Sequence, residues 1–380
     1  MYELKKTYSY DDVTLVPHYS DLRSRGETSP SMFGFDLPII MSPMDTVTTP
    51  DMIRLFVKNN LVATVHRAFK NAEDQFNYVI DSSNRKEKFD EQEKIIKGTW
   101  FSVGSIWKYK EWIDYLYNHG VVNFLVDMAH GDSAACIETV EYIRSLYGVK
   151  HIIAGNVATK SGFRHLQDAG ANGIRIGIAS GSICSTAMET GFGVPILTNI
   201  IDCLQVKDEN VWMIADGGCK YTGDIAKAIY FGADFVMCGK MLASTDLACG
   251  KLYNSKCQLI EKDAIFLDKL TDEDEKDLFN FEQDYVNSHI VKYRGYKGMA
   301  SRDARKGILS YASVEGHEGC IKYTGKTEQF IYDTKLRLQA SLSYGGARDW
   351  KSFRRNVKAV MRSSSGIVAA DTHLDVNFDK

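Results

Sequence analysis

The sequence predicts an α/β fold, a (β/α)8 TIM barrel, and three observations carry that prediction. Eight short apolar runs recur between residues 37 and 240, each ending in small or polar residues. Such runs suit strands buried on both faces of a parallel sheet. Segments with apolar residues at helical spacing fill most of the intervals, the alternation a barrel requires. No Gly-x-Gly-x-x-Gly opens the first unit, so the rival doubly wound sheet lacks its usual nucleotide-binding turn.

The first four strands are LPIIMS (37–42), LVATVH (61–66), WFSVGS (100–105) and NFLVDMAH (123–130). The second four are HIIAGNV (151–157), GIRIGI (173–178), VWMIADGG (211–218) and DFVMCGK (234–240). TPDMIRLFVKNN (49–60) and SAACIETVEYIRSLYG (133–148) carry apolar residues at helical intervals. KSGFRHLQDAG and TGDIAKAIYFGA do the same and close near a glycine suited to a helix C-terminus. Residues 67–99 are polar and charged and read as helix and connection. Residues 1–380 then form one barrel domain with three additions. An acidic insertion or finger, 250–292, follows the eighth strand and contains the run 268–284. A flap-like segment, 293–320, comes next, and a C-terminal extension ends the chain. The acidic run reads first as a solvated surface excursion, with a partner-binding finger as the alternative.

Composition narrows the function classes. Hydrophobic content is 44%, charged content 25% and formal net charge −3, so no general nucleic-acid or membrane-surface binder is expected. No apolar run reaches membrane-spanning length. The N-terminus MYELKKTYSYDD lacks a signal-peptide core, and the expected location is cytoplasmic. The cysteines at 136, 184, 203, 219, 238, 249, 257 and 320 form no Cys-x-x-Cys pair. They are expected as free thiols, most of them small buried hydrophobes.

In a barrel, chemistry sits where strands end. The strand-end residues are Ser42, His66, Ser105, Asp127, Asn156, Gly177, Asp216 and Gly239, mostly polar or glycine. The segment after the sixth strand surrounds Cys184 with Gly177, Ala179, Ser180, Gly181 and Ser182. A thiol on a glycine-rich rim suits covalent catalysis if a base is near or its pKa is lowered. An inert cysteine in a tight turn explains the same local composition equally well. ADGGCKYTGDIAKA (215–228) and VMCGK (236–240) place glycines after the seventh and eighth strands, where barrels commonly hold phosphate on backbone N–H groups. Lys240 could add charge there; two ordinary strand–helix turns are the alternative. YKGMAS (296–301) and VEGHEG (314–319) lie beyond the strands. Taken alone, Glu315 and Glu318 read more readily as solvated loop residues than as proton-transfer groups.

Together these segments resemble the IMP dehydrogenase/GMP reductase family. YDDVTLVP (10–17), SPMDTVT (42–48), VDMAHG (126–131) and IIAGNVAT (152–159) look like its barrel motifs. GIASGSICST, ADGGC, GADFVMCG, KGMAS and VEGHEG do too, in the family's order, and RSSSGIVAADTHLDV (362–376) looks like a dehydrogenase-type tail. The resemblance implies that Cys184 attacks C2 of a purine, with Thr186 beside it and Glu315 paired to that hydroxyl. It implies that Ser182, Asp216, Gly217, Gly218, Gly239 and Lys240 hold phosphate and ribose. Ser42, Met44, Arg175, Met299 and Ala300 would line the nucleotide pocket. Asp127, Asn156 and Gly177 would face a nicotinamide. Carbonyls of Ala179, Gly181 and Cys184 would hold a monovalent cation such as potassium. The expected partner is a purine nucleoside monophosphate, and the expected assembly a homotetramer.

The family has two branches, both passing through a cysteine–purine adduct. The dehydrogenase oxidises IMP to XMP with NAD and needs a mobile flap with an Arg-Tyr pair for the water step. The reductase expels ammonia from GMP and takes hydride from NADPH. Here Met299 to Glu315 reads MASRDARKGILSYASVE, with no Arg-Tyr dipeptide and little room for a long flap. That favours NADPH-dependent GMP reduction, against a dehydrogenase tone in VDMAHG, GIRIG, EGHEG and the tail. Ala179, Ala187 and Lys240 depart from the family's usual residues, so a deoxy or modified purine nucleotide stays open. An unrelated phosphosugar isomerase or aldolase would not explain Cys184, Thr186 and Glu315 together. Retention of all three also argues against a catalytically dead nucleotide sensor.

Overall fold

The structure is a computed structural model and describes residues 4–80, 89–181, 186–270, 287–298, 318–363 and 366. Strand β1 (Val13–Val16) follows a single 3-10 turn, Tyr10–Asp12, whose Asp12 carboxylate accepts from the Ser9 backbone N–H. A two-residue hairpin comes next. Met32 and Phe35 form an antiparallel bridge, and Phe33 (φ 49°) and Gly34 (φ 85°) make its turn. Positive φ at both central positions is the type I′ geometry that matches strand twist.

The barrel strands are β2 (Ile39–Met41), β3 (Ala63–Val65), β4 (Thr99–Val103) and β5 (Asn123–Asp127), then β6 (His151–Val157), β7 (Gly173–Ile176), β8 (Trp212–Asp216) and β9 (Phe235–Cys238). All eight fall within or one residue beyond the predicted runs. They pair in parallel in the order β2-β9-β8-β7-β6-β5-β4-β3. A parallel bridge from Ile40 to Val62, with Met41 N–H donating to Val62 O at 3.2 Å, joins the two ends of that order. The sheet is therefore a closed (β/α)8 barrel.

Two cores explain why the runs are continuously apolar. Inward residues, among them Ile40, Val62, Trp100, Leu125, Ile153, Ile214 and Phe235, fill the barrel. Their outward neighbours, such as Ile39, Phe101, Val103, Phe124, Val126, Ile152, Ala154 and Val236, pack under the helices. Alternate residues of a strand face opposite sides, so burial of both sides removes the polar half of the pattern.

The helices begin where their caps predict. In α1 (Pro50–Lys58) Thr49 accepts from Met52 N–H and Pro50 takes the first turn. In α6 (Lys160–Asp168) Thr159 accepts from Gly162 N–H. Each such cap is worth about 1 kcal/mol. Helices α2 (Ala72–Ile80) and α3 (Phe89–Gly98) occupy the interval between β3 and β4. The other barrel helices used below are α4 (Ile106–Asn118), α5 (Ala134–Ser145), α7 (Thr186–Thr190), α8 (Ile196–Leu204), α9 (Thr222–Phe231) and α10 (Lys240–Ala243).

Beyond the barrel, β10 (Leu252–Tyr253), β11 (Leu259–Ile260), β12 (Tyr293–Lys297) and β13 (Glu318–Lys322) form one antiparallel sheet, ordered β11-β10-β12-β13. Described parts of the insertion and of the flap-like segment thus share a sheet. Buried Arg294 of β12 pins it, donating to Asp246 O, Ala248 O and Gly250 O. Strand β14 (Lys358–Met361) returns to pair antiparallel with β1, Val13 opposite Met361.

Candidate active site

The C-terminal ends of the strands converge on a chain of alternating charges. Arg175 of β7 donates from Nη1 to Asp127 Oδ1 at 2.5 Å and from Nη2 to Asp216 Oδ2 at 2.8 Å. Asn156 Nδ2 donates to the same Asp216 oxygen at 2.8 Å and to Gly177 O at 2.9 Å. Arg67, just past β3, brings Nε to 3.5 Å from Asp127 Oδ2 and donates from Nη1 to Tyr109 OH at 3.3 Å. Five strands, β3, β5, β6, β7 and β8, therefore contribute one linked network.

Arg175 is 7% exposed, and its Nε donates to nothing among the described residues. Burial alone would raise the Asp127 pKa, but the charges of Arg175 and then Arg67 overturn this and hold it below the ordinary carboxylate range. For Arg175 burial works against the cation, and Asp216 and Asp127 more than compensate. Arg175 and Asp127 therefore stay ionised. Asp127, Asn156 and Asp216, three of the strand-end residues, come together around Arg175. Arg175, however, spends both terminal nitrogens on carboxylates.

A second cluster lies at the ends of β2 and β9. A Cβ placed on Gly239 would lie 2.8 Å from Tyr296 OH, 3.2 Å from Ser42 Oγ and 3.3 Å from Met44 Sδ. Three polar or polarisable atoms thus face one backbone position that only glycine leaves open. Gly239 stands in this cradle at the start of a helical turn, Lys240–Ala243. Lys240 begins α10 and is exposed beside it.

The loop after β7 docks on the end of β8. Ser180 Oγ donates to Asp216 O at 2.6 Å. Gly177 has φ 132°, and a Cβ there would lie 2.2 Å from Asp216 O. At Gly217, with φ 96°, it would lie 2.7 Å from the Gly181 backbone nitrogen. Both positions demand glycine on conformation and on space. A Cβ on Gly218 would lie 3.2 Å from Ile196 Cγ2 and 3.5 Å from the Tyr10 ring. Ala179 holds φ 64°, which explains why a glycine is expected there. The departures at 179 and 187 meet at Gly193, where a Cβ would lie 2.7 Å from Ala179 Cβ and 3.5 Å from Ala187 Cβ. Thr186 opens α7, and Gly181 ends the described part of the loop. Ser182, Cys184, Met299, Ala300 and Glu315 lie outside the described residues.

Reasoning from the sequence missed Arg67 and Tyr296. Arg67 stands next to a strand-end residue already flagged, and a lone basic residue there carries no pattern. Tyr296 follows the barrel by half a hundred residues, and only the small sheet returns it to Met44. His66, expected at the rim, is buried against Phe69 with ring centroids 4.5 Å apart. Burial, and then Lys297, push its pKa down to about 4, so the imidazole is neutral. The expectation for the thiols needs correction. Cys136, Cys203 and Cys238 are buried and Cys219 is half-buried, but Cys249, Cys257 and Cys320, in and around the sheet beyond the barrel, are exposed. Burial pushes Cys136, Cys203 and Cys238 up to about 12, which leaves them inert at neutral pH. Among the described residues no group of His, Cys, Asp and Glu could hold a metal ion. No described helix is long and apolar enough to cross a membrane.

Fold and strand ends together define a (β/α)8 barrel with a charged, hydrogen-bonded network at the end where barrels of this class carry their chemistry. The chain belongs to the IMP dehydrogenase/GMP reductase family and is an oxidoreductase: the IMP dehydrogenase / GMP reductase domain matches residues 7–262 and 282–373. It is similar to a GMP reductase of Lactobacillus gasseri, 28% identical over 94% of this chain and 96% of that one. A GMP reductase of Staphylococcus carnosus is 30% identical, over 94% and 98%. An inosine-5'-monophosphate dehydrogenase of Rhizobium tropici is 32% identical over 68% of this chain, which spans only 48% of that relative.

Proposed function

We propose that the protein is a GMP reductase: it converts GMP, NADPH and a proton to IMP, NADP and ammonia. One observation carries the direction. The chain matches GMP reductases over nearly the whole length of both partners, but spans only about half of a dehydrogenase. The sequence MASRDARKGILSYASVE, without an Arg-Tyr pair, supports the same direction, because only the dehydrogenase must activate water.

In this reading the Ser42, Met44, Gly239 and Tyr296 cradle takes the nucleotide phosphate, with Ser182, Gly217, Gly218 and the Lys240 ammonium around it. Asp216 receives the ribose while Arg175 and Asn156 hold its carboxylate in place. The Cys184 sulfur bonds to C2 of the purine, and the amino group leaves as ammonia after taking a proton through Thr186 and Glu315. The dinucleotide, when bound, supplies hydride to C2. The carbon–sulfur bond then breaks, IMP departs and the thiolate is restored. Asp127, Asn156 and Gly177 orient the nicotinamide, and Asp127 can do so only as a carboxylate, which Arg67 and Arg175 ensure. Carbonyls of Ala179, Gly181 and Cys184 would hold potassium and steady the loop. Assembly as a cytoplasmic homotetramer belongs to the same reading.

Replacing Cys184 by alanine tests the covalent step. Turnover should vanish while GMP still binds, since phosphate and ribose contacts lie elsewhere. Unchanged turnover would refute the adduct.

A further inference from the structure

Strand alternation places one ring of residues at the C-terminal end of the barrel. Every second residue of a strand faces the same side. Ile40, Leu125, Ile214 and Met237 fill the barrel interior, and Ser42, Asp127, Asp216 and Gly239 follow each of them by two. On β3 the interior residue is Val62, and the same count passes Thr64 and reaches His66. In the reductase reading the other four residues of this ring all take part in binding. His66, 6% exposed against 5% for Ser42, is left without a role.

The imidazole is held in one tautomer and one plane. Its Nδ1 accepts from Ala68 N–H at 3.2 Å, so the proton of the neutral ring sits on Nε2. The ring lies flat on Phe69, with centroids 4.5 Å and planes 1° apart, and Tyr78 stands 5.9 Å away. Burial, and then Lys297, keep it uncharged. The backbone is fixed as firmly. Buried Gln75 donates from its amide nitrogen to His66 O at 2.8 Å and to Ser102 O at 2.9 Å. The Gln75 amide oxygen accepts from Trp112 Nε1 at 2.7 Å. Of the two ring nitrogens of His66, Nδ1 is satisfied and Nε2 has no partner among the described residues.

We propose that His66 is a ligand-binding residue: its Nε2–H donates to an oxygen acceptor of a ligand bound at the strand ends. A neutral ring in a fixed tautomer offers a donor and nothing else at that position. It therefore selects a carbonyl, hydroxyl or phosphate oxygen and disfavours an amino group. The purine nucleotide and the dinucleotide both carry such oxygens. The proposal rests on the reductase reading for these two ligands, and the test separates them.

GMP and NADP are titrated separately into the full-length protein by calorimetry, with IMP and NAD alongside. Three variants divide the functions of the ring. His66→Gln keeps a donor near the Nε2 position. His66→Asn keeps an acceptor near the Nδ1 position, with no donor at Nε2. His66→Phe keeps the stack on Phe69 and removes both nitrogens. The Asn and Phe variants should each bind at least one ligand about tenfold more weakly, the loss of one hydrogen bond. The Gln variant should stay within about threefold. The ligand that weakens identifies the source of the acceptor. In the unaltered protein, adding that ligand should shift the imidazole Nε2 proton resonance. Unchanged affinity in His66→Phe, equal losses in all three variants, or a resonance that no ligand moves would overturn the proposal. Binding of IMP and NAD but not of GMP and NADP would overturn the reductase reading instead. The same variants titrated with IMP and NAD would then still decide the role of His66.

Discussion

The two ends of the same eight strands carry opposite chemistry. At the C-terminal ends Arg67, Asp127, Arg175, Asp216 and Asn156 form a hydrogen-bonded ionic chain. At the N-terminal ends Trp100, Trp212 and Phe235 pack against the hairpin residues Phe33 and Phe35, and His151 stacks on Trp212. Phe33 accepts a left-handed backbone there because its ring reaches Trp212 at 5.9 Å and Phe235 at 6.2 Å. One end is closed by an apolar plug and the other is lined by charged and polar strand ends. The difference teaches that the barrel divides stability from chemistry along its axis.

Breaking each end separately should show the division. Arg175→Met leaves half-buried Asp127 and Asp216 without their main partner and should cost about 3 kcal/mol in denaturant unfolding, with turnover lost. Trp212→Ala should cost about 3–5 kcal/mol through the cavity it leaves, with the nucleotide KM within about threefold. Equal kinetic damage from both would erase the contrast.

Acid should expose the mouth first. His66 falls from its ordinary 6.5 to about 4 because burial, then Lys297, disfavour the cation. The unfolded chain therefore binds the proton more readily, so this contribution is full above the unfolded value. It is lost as pH falls from 6.5 towards 4, by about 3 kcal/mol. Asp127, depressed by its arginines, adds a loss at lower pH, as protonation passes through its folded value. His66→Asn should flatten the upper window and leave the lower one. An unaltered pH profile of unfolding would show that His66 does not titrate this way.

Smaller effects sharpen the picture. Tyr296→Phe should raise the nucleotide KM about tenfold, as for a hydrogen bond to a charged group, with little change in stability. A KM that does not move would take Tyr296 out of the phosphate cradle. Ala179→Gly should add about 1 kcal/mol of stability by relieving positive φ; a loss would mean that the alanine methyl contributes packing against Gly193.

The barrel was legible because burial of both strand faces writes itself as continuous apolar runs. Polar strand ends such as Asp127, Asn156 and Asp216 were equally plain. The small sheet was not, because β10 and β11 each have two residues, too few for any periodicity. The β1–β14 pairing joins Val13 to Met361 across almost the whole chain, which local pattern cannot reveal. Phe33 in a turn runs against turn chemistry, and only its tertiary stacking explains it. Arg67 and Tyr296 were missed for the related reason that their roles depend on direction, not on spacing.

The most direct measurement follows the nicotinamide absorbance of the purified protein with potassium, in two parallel reactions. One receives GMP and NADPH, the other IMP and NAD. Loss of NADPH absorbance in the first, with matching ammonia, is the result predicted. A gain in the second, with the first silent, would contradict it and show that the segment between Met299 and Glu315 activates water without an Arg-Tyr pair.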